Sequence, residues 1–328
     1  MKHLTILVPE GQNNLSSIVG TFKIFTRAEE YWQSGGNKPM FQIQLAGTSP
    51  EVELHNGLFA VRPHTTISAI RQTHLVIIPA LHHDCASVVE QNRVVADWIL
   101  EQYKGGAAAA SLCTGGFLLA STGLLNGRTC STHWRMADIF QKMYPKVNVV
   151  ADRIITDEHG LYTSGGAFSF LNLVLYLIEK YYDRTTAIYC SKIFEIDIDR
   201  VSQSPFAIFS VQKEHGDDAI RDAQLFIESH SDDRLSMEDL AARFAIGRRN
   251  FDRRFKKATG NSPAEYWQRA RIEKAKKGLE TTRKNVNEVM YEAGYADVKA
   301  FRNIFRKITG LSPLEYRNKF NKERTKGF

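Results

Sequence analysis

Two places in the chain gather residue types that could do chemistry. In SLCTGGFLLASTGLL, Ser111 to Leu125, a strand-like run ends at Cys113 and a helical pattern begins at once. Gly115 and Gly116 allow a sharp backbone turn there that a side chain would block. Such a strand-turn-helix junction is the geometry of a nucleophile elbow. A cysteine at its apex faces a crevice beside a helix N-terminus, which can lower a thiol pKa and offers backbone N–H groups to an oxyanion or carboxylate. Twenty residues on, STHW supplies His133 as a base or hydrogen-bond partner. The structural alternatives are a small buried hydrophobe at Cys113 and a packing histidine beside Trp134. His82, His83, Asp84 and Cys85 are metal-ligating types, but adjacent histidines in one loop rarely converge on one ion and no partner motif appears, so neither a metal nor a cofactor is expected.

The second place is a repeat. DRRFKKATGNSP, from Asp252 to Pro263, returns fifty residues later as RNIFRKITGLSP, from Arg302 to Pro313. Phe251, Phe255, Thr259, Gly260, Ser262, Glu265 and Tyr266 recur as Phe301, Phe305, Thr309, Gly310, Ser312, Glu315 and Tyr316. A repeat marks one structural unit used twice. In each copy the apolar residues fall on one helical face and the opposite face is basic. Gly260 and Gly310 sit where a helix ends, while Ser262 and Ser312 cap the next helix with proline at its first position. MEDLAARFAIG and VNEVMYEAGYAD lie upstream, so each unit reads helix, tight turn, helix, over about 237–259 and 287–309.

The second helix of such a unit fits the major groove of DNA. Arg248, Arg249, Asp252 and Arg253 in the first copy, and Val298, Lys299, Arg302 and Asn303 in the second, are the candidate base readers. Arginine takes guanine bidentately, asparagine prefers adenine, and valine methyls suit a thymine methyl. Lys256, Lys257, Arg306 and Lys307 would meet phosphates, giving affinity without sequence information. The charge agrees: residues 217–328 carry 25 Lys and Arg against 17 Asp and Glu, whereas residues 1–216 carry 18 against 19.

The elements that must position these groups fall into two domains, as 328 residues suggest. Apolar runs at Leu4 to Pro9, Phe41 to Gly47, His74 to Ala80 and Gly106 to Cys113 alternate with helical stretches at Ile18 to Trp32 and Ser87 to Tyr103. This alternation indicates a doubly wound α/β domain, flavodoxin-like, with a ligand crevice at the carboxyl ends of its strands. After Leu161, TSGGAFSFLNLVLYLIEKYY reads as a Gly-rich turn and an apolar helix serving as core or dimer face. The expected division is 1–204 for ligand sensing and dimerisation, 205–216 as linker and 217–328 as an all-α DNA-binding domain. The opening MKHLTILVPE runs straight into a strand pattern and no apolar run approaches a membrane span, so the protein is expected in the cytoplasm. Cys85, Cys113, Cys130 and Cys190 form no C-x-x-C pair and should be free thiols.

EAGYADVKAFRNIFRKITGLSPLEYR, Glu292 to Arg317, resembles the late signature of AraC/XylS-family transcription regulators. That resemblance implies seven helices, two helix-turn-helix units joined by a long helix near Pro263 to Thr281, and recognition helices in successive major grooves of double-stranded DNA. It also implies RNA polymerase as a partner and a bacterial, nucleoid-associated location. CTGGFLLASTGLLNGRTCSTHW, YTSGG and SQSPF resemble the class I glutamine amidotransferase-like superfamily in its PfpI branch, and regulators that carry such a domain before the AraC-type one. This second resemblance implies a homodimer through the N-terminal domain and an effector, of unknown identity, at Cys113, Thr114, Gly115, His133 and Ser16. Enzymatic relatives tend to place a carboxylate after the first strand and a histidine directly after the elbow cysteine; Ser16 and Thr114 are the nearest equivalents here, with Glu10 and Asp84 the remaining acids. A catalytic role is therefore not expected. The alternative is a cysteine-dependent amidase, peptidase or glyoxalase-like enzyme with an appended DNA-binding domain.

Overall fold

A strand with no polar face must be covered on both sides. β1 (Lys2–Val8) meets that demand, with Leu4, Ile6, Leu7 and Val8 all at most 1% exposed. The computed structural model describes residues 1–82, 84–209, 213, 215–231 and 235–321, and the chain forms two units, Met1–Gln203 and Ser204–Phe328. His83 of the rejected metal cluster, and residues 210–212 and 214 of the expected linker, lie outside the described residues.

In the first unit the strands are β1, β2 (Phe41–Gly47), β3 (Val52–Leu54), β4 (Phe59–Val61), β5 (Thr65–Thr66), β6 (Leu75–Ile78), β7 (Ala108–Ser111), β8 (Thr129–Cys130), β9 (Asn148–Val149), β10 (Ile155–Glu158) and β11 (Leu161–Ser164). Seven of them make one sheet in the order β10-β11-β7-β6-β1-β2-β5, parallel throughout except for β10 against β11. The chain winds from β1 outward through β2, then returns to β6 on the other side, so the order reverses beside β1. This is the doubly wound architecture, and its switch point places a crevice at the carboxyl ends of the central strands.

Helices α1 (Leu15–Ser34), α6 (Phe170–Tyr181) and α7 (Arg184–Ile193) cover one face of the sheet, burying Ile24, Phe25, Leu173 and Ile178. On the other, α2 (Cys85–Gln91), α3 (Arg93–Lys104), α4 (Gly116–Ser121) and α5 (Ala137–Met143) bury Ile99, Phe117, Leu118 and Phe140. The apolar α6 is thus core. The stretch read as one helix over 87–103 is two, broken at Asn92. That side chain is 1% exposed; it donates to Val88 O (2.8 Å) and Glu10 O (3.0 Å) and accepts from Glu10 N (2.8 Å). An asparagine that bonds the backbone of a neighbouring loop competes with helix continuation.

The second unit carries α8 (Asp218–Ser229), α9 (Met237–Arg243), α10 (Arg248–Thr259), α11 (Pro263–Thr281), α12 (Val286–Glu292), α13 (Val298–Thr309) and α14 (Pro313–Phe320). Part of the expected linker belongs to it. Phe209 packs edge-on to Tyr266 at 4.9 Å, Phe206 lies 5.7 Å from Phe320, and Ala207 O accepts from Lys276 Nζ at 2.6 Å. An apolar segment such as PFAIF gains by covering its rings, whereas a polar one would stay solvated. Among the described residues no helix is long and apolar enough to cross a membrane.

Candidate nucleic-acid interface and elbow site

The repeat is reproduced atom for atom in its scaffolding. Phe255 meets Tyr266 at 5.3 Å and 81°, and Phe305 meets Tyr316 at 5.4 Å and 83°. Tyr266 donates to Glu228 at 2.6 Å and Tyr316 to Glu280 at 2.6 Å. Thr259 and Thr309 each donate to the carbonyl of the phenylalanine four residues back, at 2.8 Å. α11 is shared. Its N-terminal Tyr266 completes the first half, and its C-terminal Glu280 does for the second half what Glu228 on α8 does for the first.

Local chemistry explains the boundaries. Ser236, Ser262, Asn285 and Ser312 each form a capping box with Asp239, Glu265, Glu288 and Glu315. Hydrogen bonds from Ser262 and Ser312 hold Glu265 and Glu315 below the usual carboxylate range. α10 and α13 both end at a left-handed glycine, Gly260 and Gly310, each at φ +74°. The turns differ: Phe244–Gly247 spans four residues with Ala245 at φ +54°, and Ala293–Asp297 spans five with Gly294 at φ +81°. Sequence offsets of 49 before the turn and 50 after it are the visible trace of that extra residue.

With Phe251, Phe255, Phe301 and Phe305 fully buried, the opposite faces of α10 and α13 are forced outward. Arg249, Arg253, Lys256 and Lys257 are exposed on α10, and Lys299, Arg302, Asn303, Arg306 and Lys307 on α13. The halves are not equivalent in charge. Arg248 is held by Asp252 (Nε to both oxygens, 3.0 and 2.8 Å) and by Glu238 (2.7 Å), and Arg253 donates to Asn250 at 2.9 Å. On α13 no ion pair or side-chain hydrogen bond among the described residues engages Lys299, Arg302, Asn303 or Lys307. Val298 is half-buried against the second core, which limits what it offers a base. Asp217, the cap of α8, binds Arg254 of α10 through both oxygens (2.6 and 2.9 Å), and this pairing lowers the Asp217 pKa.

At the other place, Cys113 takes φ +54° at the end of β7, the strained backbone of an elbow. A Cβ at Gly115 would lie 2.5 Å from Pro79 O and 2.6 Å from Ile78 O, so only glycine lets the turn approach β6. Burial reverses the expected electrostatics: Cys113 is 6% exposed, and desolvation raises its thiol pKa even though the Thr114 and Ala167 backbone N–H groups oppose the rise. All four cysteines are buried and free.

The residues expected around Cys113 have partners of their own. Thr114 is 2% exposed and donates its hydroxyl to Leu81 O at 2.7 Å, while Gly115 N donates to Leu112 O at 2.8 Å. Ser16 is exposed in the first turn of α1, its N–H on Asn14 Oδ1. His133 accepts from Arg135 N at 3.1 Å and lies flat against Gly166, where a Cβ would come within 2.3 Å of the ring. Glu10 accepts from Ser49 at 2.6 Å and from Thr48, and Asp84 caps α2, so both acids are committed elsewhere. Three residues that sequence reasoning passed over build the wall instead. Ser164 Oγ accepts from Cys113 N at 3.1 Å, Ala167 turns its N–H to the thiol from φ +50°, and Gln203 bonds the turn between them. The runs YTSGG and SQSPF, which contain two of them, were the available signal.

Residues 240–319 match the family model of a helix-turn-helix domain, and residues 33–180 that of the DJ-1/PfpI family. The HTH-type transcriptional regulator GbdR of Pseudomonas aeruginosa is 25% identical over 243 residues, 71% of this chain and 64% of that one. The regulator ArgR of the same species is 25% identical over 218 residues, 66% of this chain and 65% of its own. The activator RhaS of Escherichia fergusonii is 35% identical over 92 residues, 28% of this chain and 33% of its own. The chain thus spans slightly under two thirds of the length of GbdR and ArgR. A ThiJ/PfpI family protein from Pseudomonas syringae superposes with TM-score 0.51 at 17% identity, covering 74% of this chain and 87% of that one; Drosophila melanogaster DJ-1beta does so with 0.50 at 16%, covering 60% and 98%. These two likenesses concern the fold.

Proposed function

We propose that this chain, which joins a DJ-1/PfpI-type domain to an AraC-type helix-turn-helix domain, is a sequence-specific DNA-binding transcription regulator controlled by a small metabolite. The observation that carries the reading is the doubled scaffold, which holds two basic helices outward with the same caps, the same buried phenylalanines and the same tyrosine–glutamate bond. Two such helices, one turn of DNA apart at about 34 Å, read two segments on one face of the duplex. Arg249, Arg253, Lys299, Arg302 and Asn303 are the base readers, and Lys256, Lys257, Arg306 and Lys307 meet phosphates. Arg248, neutralised by Asp252 and Glu238, positions α10 more than it reads.

The first domain senses and dimerises, with the effector held near Cys113 and His133, and the regulator acts with RNA polymerase on the nucleoid. A ligand controls DNA binding only by preferring one of its states. The enzyme alternative is disfavoured by chemistry: burial raises the thiol, and Glu10 and Asp84 are hydrogen-bonded to other groups rather than placed as the third member of a triad. The test is in vitro selection from random duplexes with the full chain, followed by a mobility shift against scrambled competitor. Enrichment of a paired motif with half-sites one helical turn apart is expected. Enrichment of nothing, or turnover of amide and glyoxal substrates abolished by Cys113→Ser, would refute the regulator reading.

A further inference from the structure

The two helix-turn-helix halves lie in one compact unit, yet among the described residues each keeps a hydrophobic core of its own, and both cores are built on α11. Tyr266, Trp267 and Ala270 belong to the first core, Ile272, Ala275 and Leu279 to the second. The changeover falls at Arg271. Rigid bodies that share one helix can swing or shear against each other unless side chains tie them across the joint. What Arg271 touches therefore bears on how α10 and α13 stand relative to one another.

Arg271 touches both halves. Its Nε donates to Ser231 O, just past α8, at 2.6 Å, and the same carbonyl accepts from Trp267 Nε1 at 2.7 Å. The guanidinium carbon lies 5.6 Å from the centre of the Trp267 ring and 5.7 Å from that of Tyr295. Trp267 is in the first core and Tyr295 in the second, and both rings are buried, as is Ser231. A cation drawn to aromatic faces gains more where water is scarce. Arginine suits the place because its planar, weakly hydrated head stacks on rings while donating along its edge, which a lysine ammonium does not do.

The contact continues to the recognition helix. Tyr295 stands in the turn between α12 and α13, and its ring packs on Phe301 of α13 at 5.3 Å. The path from the first half to α13 is thus Ser231 and Trp267, Arg271, Tyr295, Phe301, each step a direct contact within one unit. Phe206 against Phe320 and Phe209 against Tyr266 bridge the same halves independently, so the fold of the unit does not hang on Arg271 alone.

We infer that Arg271 sets the register between the two halves and thereby determines which half-site spacing the chain reads. This rests on the regulator reading above. One base pair inserted between the half-sites moves the second by about 3.4 Å and turns it by about 35° around the duplex. Two helices braced against each other cannot follow that displacement, whereas an unbraced pair swings part of the way. With its guanidinium engaged by Ser231 and the two rings, Arg271 is a positioning residue that acts through Tyr295 and α13.

The test titrates the full chain with the selected duplex and with versions carrying one base pair more or fewer between the half-sites. Wild type is expected to bind the selected spacing about 100-fold more tightly than either altered one. Arg271→Met keeps the stem, removes the cation and leaves Ser231 O its bond from Trp267. It should narrow the ratio to about tenfold while weakening the selected duplex no more than about threefold, since what is lost is preorganisation and not a DNA contact. Tyr295→Leu breaks the same contact from the second half and should narrow the ratio likewise; it decides the matter if Arg271→Met does not fold. Tyr295→Phe, the conservative variant, keeps the ring and should keep the wild-type ratio. A purely structural loss weakens all three duplexes together and leaves the ratio where it was, so a ratio unchanged in both Arg271→Met and Tyr295→Leu would overturn the assignment. Wild type that enriches a paired motif but binds all three spacings alike would overturn the register role alone. Wild type that enriches no paired motif would overturn the regulator reading, and this inference with it.

Discussion

Arg302→Ala isolates one base contact with little structural side effect. Arg302 is exposed on α13, three residues before the buried Phe305, and among the described residues no ion pair or side-chain hydrogen bond engages it. Truncation therefore strands no partner, and alanine is a better helix former, so folding stability should change by less than about 0.5 kcal/mol. What remains is the DNA contact. A bidentate guanine pair is worth about 1–3 kcal/mol, so binding to the selected duplex should fall roughly five- to 150-fold. Binding to a scrambled duplex should fall only by the loss of one charge. Lys307→Ala behaves oppositely: both duplexes weaken together, and the slope of log affinity against log salt drops by about 0.9. Between 50 and 200 mM salt that slope difference is a factor of about 3.5, measurable by fluorescence anisotropy titration. Arg248→Ala would release Asp252 and Glu238 beside the groove and should weaken both duplexes. Equal losses for Arg302→Ala on selected and scrambled DNA would refute the assignment of α13 as a reading helix.

Replacing Gly260 by alanine should cost about 1 kcal/mol in urea melts, because nothing lies within 4 Å of the new Cβ and only the left-handed φ is strained; Gly310 has the same φ of +74°. Asp217→Ala removes both a cap and the grip on Arg254, and should cost about 1–2 kcal/mol, discounted for partial exposure. Because the folded Asp217 pKa lies below its ordinary 3.8, this contribution is complete above about pH 4 and fades as pH falls through the lower folded value; a chemical-denaturation series from pH 7 to 3 should show the loss in wild type and not in the variant. Burial pushes the Cys85 and Cys130 thiols up to about 12 and Cys190 to about 11, and raises Cys113 as well. Native protein at pH 7.5 should resist iodoacetamide at all four positions and label fully in urea; rapid native labelling of Cys113 would contradict the dry elbow.

Much was legible in the residues because it is local. Left-handed glycines, serine caps with a glutamate three residues on, and phenylalanines four apart are settled within one or two helical turns, so both helix-turn-helix units and their outward basic faces followed from the repeat alone. The continuous apolar strands and the glycines after Cys113 likewise announced a parallel sheet with an elbow at the carboxyl end of one strand, since a two-sided strand and a close backbone approach each restrict the residue type at its own position. Tertiary structure decided the rest, because it turns on which distant groups meet and how much water they lose. The direction in which the Cys113 thiol shifts depended on burial, which outweighs the Thr114 and Ala167 backbone N–H groups. Arg248 looked like any other basic residue until Asp252 and Glu238 closed on it. The apolar segment 205–209 read as a linker because its partners, Tyr266, Lys276 and Phe320, are contributed by helices far along the chain, and the hydrogen-bond partners of Gln203 come together only where the turn at 164–167 folds back upon it.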